Sequence, residues 1–320
     1  MPQSLILKLT AQSAIAPRYQ QGHALQQLFF ELVEAVDPRL GQILLSDPTN
    51  RSYSFSPLQC PRPSRSKQNA LQYNSGVIIP AQTQCWWRIT LLDDPLFDSI
   101  GSLWQSLCGE RFDLGTAYLT IDEIIVKTPT PNRARAAAAS ATACSYSELY
   151  AQASDYERNI HIEFLTPVVF EHQGTLSPMP SADSLFQPLR KYWNHYSGLL
   201  FPANLVNYLL PTYFDIRTCS VQSFLHSSVP NISGCIGKIG FRIDEQHNSA
   251  IIKHLNTLAD FARFCSVGYQ AQFGMGVLGR SHPPLARSTG RSADQRSKNQ
   301  PTHSAAIHPA ATSPTTIAKT

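Results

Sequence analysis

The sequence has 320 residues, which exceeds one average domain and predicts two. Hydrophobic residues make up 42% of it, and no uncharged apolar run reaches the roughly 18 residues that a membrane-spanning helix needs. The net charge of +4 arises in the segment from Ser281 onward, so the charge balance of residues 1–280 does not by itself indicate a polyanionic partner.

The N-terminus, the cysteines and the carboxylates limit the function classes further. MPQSLILKLTAQ lacks the basic segment and the cleavage site of a signal peptide, which predicts a cytoplasmic protein. The seven cysteines form no CxxC pair and lie mostly in apolar segments, as reduced core thiols do. The pairs Asp93–Asp94 and Asp122–Glu123 have no further ligand at metal spacing, so neither a metal nor a cofactor is expected.

The first half combines strand-like alternation with helical spacing of apolar residues. In chain order it predicts a strand at 5–10, a helix at 25–36 ended by Pro38, strands at 52–58 and 85–94, a helix at about 95–108, and a strand at 112–127. A Pro-containing and Ala-rich stretch, 128–144, follows and predicts a loop or linker.

The second half repeats this order after a short helix, SYSELYAQA. It predicts a strand at 159–170, helices within 181–210, strands at 212–225 and 234–244, a helix at 247–265, and a last strand from Val267 to about Leu278. Both halves therefore have the order βαββαβ. The expected fold class is α+β, with two tandem ferredoxin-like domains at 1–145 and 146–280.

The segment 281–320 completes the domain prediction. It is rich in Ser, Thr, Pro and Ala and has almost no aliphatic cluster. Such a composition cannot bury enough apolar surface to offset the entropy of ordering, so we expect a disordered tail.

The predicted last strand, SVGYQAQFGMGVLGR, contains an unusual number of glycines. Glycine weakens a strand and often marks a place where a ligand or another backbone approaches closely. A kinked strand that packs on the first domain is the structural alternative. The string GMGVLG is not a dinucleotide fingerprint, because it follows a helix and precedes the tail. No aromatic-rich run indicates an RNA-recognition module either.

Five stretches, taken in order, resemble the CRISPR repeat-processing endoribonucleases, the Cas-six family. The glycine-rich end is similar to the family's closing strand and loop, and IHIEFLTPVVF with LRKYWNHYS is similar to the start of its second domain. SLILKLT, GHALQQLFFELVEAVDPRL and SYSFSPL are similar to its N-terminal half. The resemblance covers about 280 residues, all but the tail.

This resemblance implies tandem ferredoxin-like domains and cleavage of CRISPR transcripts within each repeat. Family members act without metal, by attack of a ribose 2′-hydroxyl on the adjacent phosphate, and leave a 5′-hydroxyl and a 2′,3′-cyclic phosphate. The glycines would then let the RNA backbone lie on main-chain amides. The implied partners are CRISPR repeat RNA and, in some cases, subunits of an effector complex; no membrane and no DNA are expected.

The catalytic residues of the family are not all matched. Its usual histidine falls on Leu45 or Ser46, its tyrosine on Phe30, and its lysine on Arg51. Arg51 can still stabilise a phosphorane, because guanidinium binds phosphate well.

His23 is the candidate general base. It lies in the first turns of the helix and points away from the predicted core, where a neutral imidazole can accept a proton. A solvated histidine without a role is the alternative. His161 and His195 are expected to be structural or exposed.

The remaining candidates are expected to bind RNA, with solvated surface residues as the alternative. They are Lys8, Arg18, Lys238, Arg242, Gly268, Gln270, Gln272, Gly274, Gly276 and Gly279. A catalytically silent guide-RNA-binding subunit and a protein-binding scaffold remain the rival functions.

Overall fold

The computed structural model describes residues 1–46, 52–61, 71, 73, 76–126, 142–172, 174–224, 231–244 and 248–281. Arg51, most of the linker at 128–144 and residues 282–320 of the predicted tail lie outside them. Residues Met1–His282 form one compact unit. None of the helices in the described residues is long and apolar enough to span a bilayer.

The described residues contain seven α-helices, the first of which carries the apolar stripe that the sequence predicts. They are α1 (His23–Val36), α2 (Pro38–Ser46), α3 (Asp94–Phe97), α4 (Ile100–Leu103), α5 (Tyr146–Gln152), α6 (Ala182–Tyr196) and α7 (Ser249–Phe261). The stripe of α1 buries Leu25, Leu28, Phe29, Leu32 and Val33. Burial of about 1.5–3 kcal/mol per large apolar side chain fixes this face on the first sheet.

The first sheet has the strand order β2-β3-β1-β5-β4, with β6 beside the start of β1. Its strands are β1 (Gln3–Ala11), β2 (Tyr53–Phe55), β3 (Gln84–Leu91), β4 (Arg111–Leu114), β5 (Ala117–Ile125) and β6 (Thr142–Ala143). All the pairs in it are antiparallel. The order β2-β3-β1-β5 is that of a ferredoxin-like unit, as the sequence predicts.

The second sheet repeats this arrangement in the order β10-β11-β7-β12. Its strands are β7 (Asn159–Val168), β10 (Leu209–Gln222), β11 (Asn231–Ile243) and β12 (Leu278–Ser281), while β8 (Phe170–His172) and β9 (Thr175–Ser177) form a separate hairpin. A core of its own lies between this sheet and α5, α6 and α7. The prediction of two ferredoxin-like units is confirmed.

The predicted last strand is wrong over most of its length. Residues 267–277 form a loop joined by one bridge between Ser266 and Val277, and the strand itself is only Leu278–Ser281. Three glycines of the loop have positive φ, which interrupts a strand. Ser281, assigned to the tail from the sequence, ends this strand.

Other boundaries also differ from the prediction. The strand expected at 112–127 is the hairpin of β4 and β5, because Gly115 turns the chain with φ +68°. Pro38 does not only follow α1 but also opens α2, where the Asp37 carboxylate accepts hydrogen bonds from the Arg39 and Leu40 amides. The helix expected at 95–108 is divided into α3, α4 and a 3₁₀ turn.

Arg88 joins the two halves from a buried position. It is 3% exposed, donates from Nε to Ser4 Oγ at 2.8 Å, and donates from its terminal nitrogen to the Arg263 carbonyl. Burial lowers the pKa of Arg88 to about 10, so the guanidinium stays charged at neutral pH.

Asn256 makes a second buried polar junction, between α7, the start of β7 and β12. It is fully buried, and its Nδ2 donates to the Glu157 carbonyl at 2.7 Å, while Oδ1 accepts from Arg280 at 2.6 Å. Asn256→Ala should lower the free energy of unfolding by about 2–3 kcal/mol, because it leaves buried groups unpaired. Urea unfolding measures this.

The exposed Asn204 provides the matched control. Its Nδ2 donates to the Tyr208 hydroxyl at 2.9 Å on the surface. Asn204→Ala should stay within about 0.5 kcal/mol of the unmodified protein. Equal losses for the two variants would mean that the Asn256 contacts do not stabilise this junction.

Candidate functional site

The glycine-rich segment 266–280 forms a closed loop at the end of β7. The Val267 amide donates to the Gly276 carbonyl at 2.9 Å, and the Gly276 amide donates to the Pro167 carbonyl at 2.9 Å. Between them the chain makes a short 3₁₀ turn, Ala271–Phe273. The loop is therefore fixed by main-chain bonds at its base.

Positive φ angles and close backbone contacts account for two of its glycines. Gly268 and Gly276 have φ of +90° and +68°. A Cβ at Gly276 would overlap the Val267 carbonyl, and one at Gly268 would lie 2.5 Å from the Val169 carbonyl oxygen. The protein's own main chain, rather than a ligand, occupies the space where these side chains would be.

Close contacts within the protein also explain why Gly274 and Gly279 are glycines. Gly274 has φ +88°, and a Cβ there would lie 3.2 Å from the Pro57 amide nitrogen; at Gly279 it would lie 3.3 Å from a methyl group of Leu165. Gly274, Gly276 and Gly279 are buried, and Gly268 is exposed. The packing thus corrects the interpretation that these glycines expose bare backbone, except at Gly268.

The loop contacts the first half at the start of α1. The Gly22 amide donates to the Phe273 carbonyl at 3.3 Å. Gly22 has φ +70°, and a Cβ there would lie 2.5 Å from the Phe224 ring. A glycine before the helix therefore lets the Phe224 ring approach the N-terminus of α1.

His23, the first residue of α1, lies at this contact and is exposed. Its Nε2 is 3.0 Å from the Phe224 carbonyl oxygen, and its ring lies edge-on to Phe273 with centroids 4.4 Å apart. A carbonyl only accepts hydrogen bonds, so Nε2 carries the proton and Nδ1 of the neutral ring has a lone pair. The arrangement can accept a proton at Nδ1.

The side chain of Gln270 also binds the segment that contains Phe224. Its Oε1 accepts from the Phe224 amide at 3.2 Å, and its Nε2 donates to Ser223 Oγ at 3.3 Å. Gln270 is 3% exposed and has φ +62°. Its side-chain amide thus has an internal role, and it is not available on the surface as the sequence interpretation expected.

An open groove of about 590 Å³ runs beside the loop. Its lining includes Glu171, His172, Asp183, Lys191, Tyr192 and Gln272. Gln272 is half-buried and Lys191 and His172 are exposed, so polar groups of both charges meet in the groove. Gly268 and Gln270 also line it, and Gln270 is the residue that hydrogen-bonds Phe224.

The basic residues predicted to bind RNA lie in two different parts of the fold. Lys8, on β1, forms an ion pair of 2.6 Å with Glu123, and Arg18 is exposed over the ring of Tyr19. Both lie in the first half.

Lys238 and Arg242 lie on β11 and share a face, as predicted. Lys238 Nζ is 3.8 Å from Glu163 Oε2, and Arg242 is exposed. Burial raises the pKa of the Glu163 carboxyl, although Lys238 opposes this.

The residues at the positions of the family's histidine and tyrosine are poorly suited to proton transfer. Leu45 and Ser46 are exposed at the end of α2, and Phe30 packs edge-on to Tyr53. Among the described residues, no group of three His, Cys, Asp or Glu side chains could hold a metal ion.

Sequence reasoning missed Phe224, Phe273 and Gly22. Phe224 is 201 residues from His23 along the chain and lies in no motif, whereas Phe273 lies within the glycine-rich stretch but was not among the candidate residues. Gly22 did carry a signal, since a glycine directly before a helix often has a special backbone conformation.

Two family models match the chain and together cover most of it. The model for the CRISPR Cas6 N-terminal domain matches residues 1–151, and the model for the CRISPR-associated endoribonuclease Cas6 matches residues 162–278. The chain belongs to the Cas6 family. No match was found among curated proteins.

Solved Cas6 structures share the fold at low sequence identity. A Cas6 product complex has a TM-score of 0.66 and 22% identity over 88% of this chain and 100% of that one. A Cas6 in a substrate mimic complex gives 0.61 and 15% over 88% and 99%. Cas6 of Thermus thermophilus gives 0.60 and 22% over 88% and 98%.

Proposed function

We propose that this chain is a metal-independent endoribonuclease that cleaves CRISPR precursor RNA within its repeats, in the cytoplasm. The observation that carries the proposal is the match of both Cas6 models, the second of which describes an endoribonuclease. The product and substrate mimic complexes of Cas6 proteins with the same fold support RNA as the substrate.

The proposed reaction uses the ribose as nucleophile. His23 Nδ1 takes the proton of the 2′-hydroxyl, whose oxygen attacks the adjacent phosphorus, and the bond from phosphorus to the 5′-oxygen breaks. The leaving 5′-oxygen takes a proton from water, and His23 releases its acquired proton to the solvent, so the products are a 5′-hydroxyl and a 2′,3′-cyclic phosphate. Arg51, known from the sequence alone, is proposed to stabilise the phosphorane.

The RNA is proposed to lie along exposed groups beside the glycine-rich loop. Gly268 and Gln272 border the groove, and Arg18 lies five residues before His23. Lys238 and Arg242 would bind phosphates farther along the RNA, since contacts to the RNA backbone come mainly from basic side chains. Lys8 is a weaker candidate, because Glu123 already pairs with it.

A silent guide-RNA-binding subunit of an effector complex is the second candidate. Leu45 or Ser46 stands where the family has its histidine, and neither side chain transfers protons at neutral pH.

Incubation of the full chain with its cognate repeat RNA in EDTA distinguishes these functions. Cleavage to a cyclic phosphate supports the nuclease, and tight binding without cleavage supports the silent subunit. Absence of RNA binding would favour the remaining rival function, a protein-binding scaffold. As a control, a single 2′-deoxy substitution at the attacking nucleotide should abolish cleavage and preserve binding.

A further inference from the structure

Cys60 and Cys85 lie opposite each other on neighbouring extended segments. Gln59 and Trp86 form an antiparallel bridge in which each amide donates to the other's carbonyl, at 2.9 and 2.8 Å. The next pair in this register is Cys60 and Cys85. It occupies the non-hydrogen-bonded position, where Cα atoms are only about 4.5 Å apart, within the range that a disulfide spans.

The two thiols also contact each other. Their side chains form a hydrogen bond, which lowers the pKa of Cys60 and, with burial, raises the pKa of Cys85. Cys85 is 3% exposed and its thiol is 3.7 Å from the Thr83 carbonyl, whereas Cys60 is half-buried. Cys60 is therefore the accessible thiol and the easier one to ionise.

Cys219, Cys235 and Cys108 lack this arrangement. Cys219 and Cys235 lie on paired strands, but Cys219 is opposite Gly234 and Cys235 is opposite Thr218. Burial raises the pKa of both thiols. Cys108 is exposed, and no cysteine lies opposite it in the register of the described strands.

We infer that Cys60 and Cys85 are a redox-active dithiol that reacts with low-molecular-weight disulfides. The Cys60 thiolate attacks one sulfur of the disulfide RSSR and expels one thiolate, which takes up a proton. Cys85 then loses its proton and attacks the Cys60 sulfur, which expels the second RS⁻. The protein is oxidised by two electrons to a Cys60–Cys85 disulfide, and RSSR is reduced to two RSH.

Oxidation would act close to the candidate site. The bond would tie the segment that contains Pro57 to β3, and Pro57 is the residue against which Gly274 packs. Because a disulfide restricts the unfolded chain, we expect the oxidised protein to unfold at a higher temperature.

The test uses the native full chain in buffers of reduced and oxidised glutathione. After alkylation and proteolysis, mass spectrometry should find the Cys60–Cys85 linkage at least ~10-fold more often than any other pair. The same treatment in guanidinium chloride should give no preference, because the fold supplies the juxtaposition. A stable glutathione adduct on Cys60 without the linkage would overturn the inference.

Variants provide a second readout. Phenylarsine oxide, which bridges two adjacent thiols, should bind the unmodified protein in a one-to-one ratio and should not bind Cys60→Ser or Cys85→Ser. Cys108→Ser is the matched control and should bind as the unmodified protein does. The oxidation-dependent rise in unfolding temperature should persist in Cys108→Ser and vanish in Cys60→Ser. Retained arsenical binding in Cys60→Ser would refute the pairing.

Discussion

Gly276→Ala should lower the free energy of unfolding by roughly 3–5 kcal/mol. The added Cβ would overlap the carbonyl of Val267, whose amide forms one of the main-chain bonds at the base of the loop, and φ of +68° disfavours any side chain. Neither the backbone bond nor the angle can relax without opening the loop. Denaturant unfolding with two spectroscopic probes measures the loss.

Gly109→Ala separates the cost of the positive φ from the cost of the steric overlap. Gly109 has φ +91°, is exposed, and a Cβ there would have nothing within 4 Å. Its replacement should cost only the conformational term of roughly 1–2 kcal/mol. If Gly276→Ala loses no more than Gly109→Ala, the loop has more room than its packing indicates.

His23→Ala should lower the single-turnover rate of repeat cleavage by about 10²–10⁴-fold, the usual contribution of general acid–base catalysis. RNA affinity should change little, because the ring offers one neutral contact. The rate of cleavage at saturating protein and the dissociation constant are measured separately, at fixed salt concentration.

Two further variants distinguish proton transfer from positioning. His23→Gln can still donate to the Phe224 carbonyl but cannot accept a proton at neutral pH, so it should be as slow as His23→Ala. His195→Ala, at an exposed position near the end of α6, should cleave normally. Recovery of cleavage in His23→Gln would show that the histidine only holds the Phe224 segment.

Local patterns were sufficient to predict most of the fold. The spacing of Leu25, Leu28 and Leu32 predicted the buried face of α1, and alternation predicted the central strands of both sheets. The domain order followed from the repeated βαββαβ pattern. The start of α2 was missed because Pro38 was interpreted as a helix end, although proline is also favoured in a first helical turn.

The candidate site was harder to predict because it depends on contacts between distant segments. A run of single apolar residues between glycines looks like a strand, and only the positive φ at Gly268, Gly274 and Gly276 shows that it is a loop. The choice of His23 rested on two grounds: it is the only histidine in the first 160 residues, and it was expected to point away from the core. The structure places it in an exposed position. Its contacts with Phe224 and Phe273 could not be read from any local pattern.

The hydrogen bond between His23 and Phe224 does not depend on the charge of the imidazole. Nε2 keeps its hydrogen when Nδ1 gains one, and a cationic ring donates more strongly than a neutral one. The ring can thus gain and lose a proton at Nδ1 without rotating away from the Phe224 carbonyl.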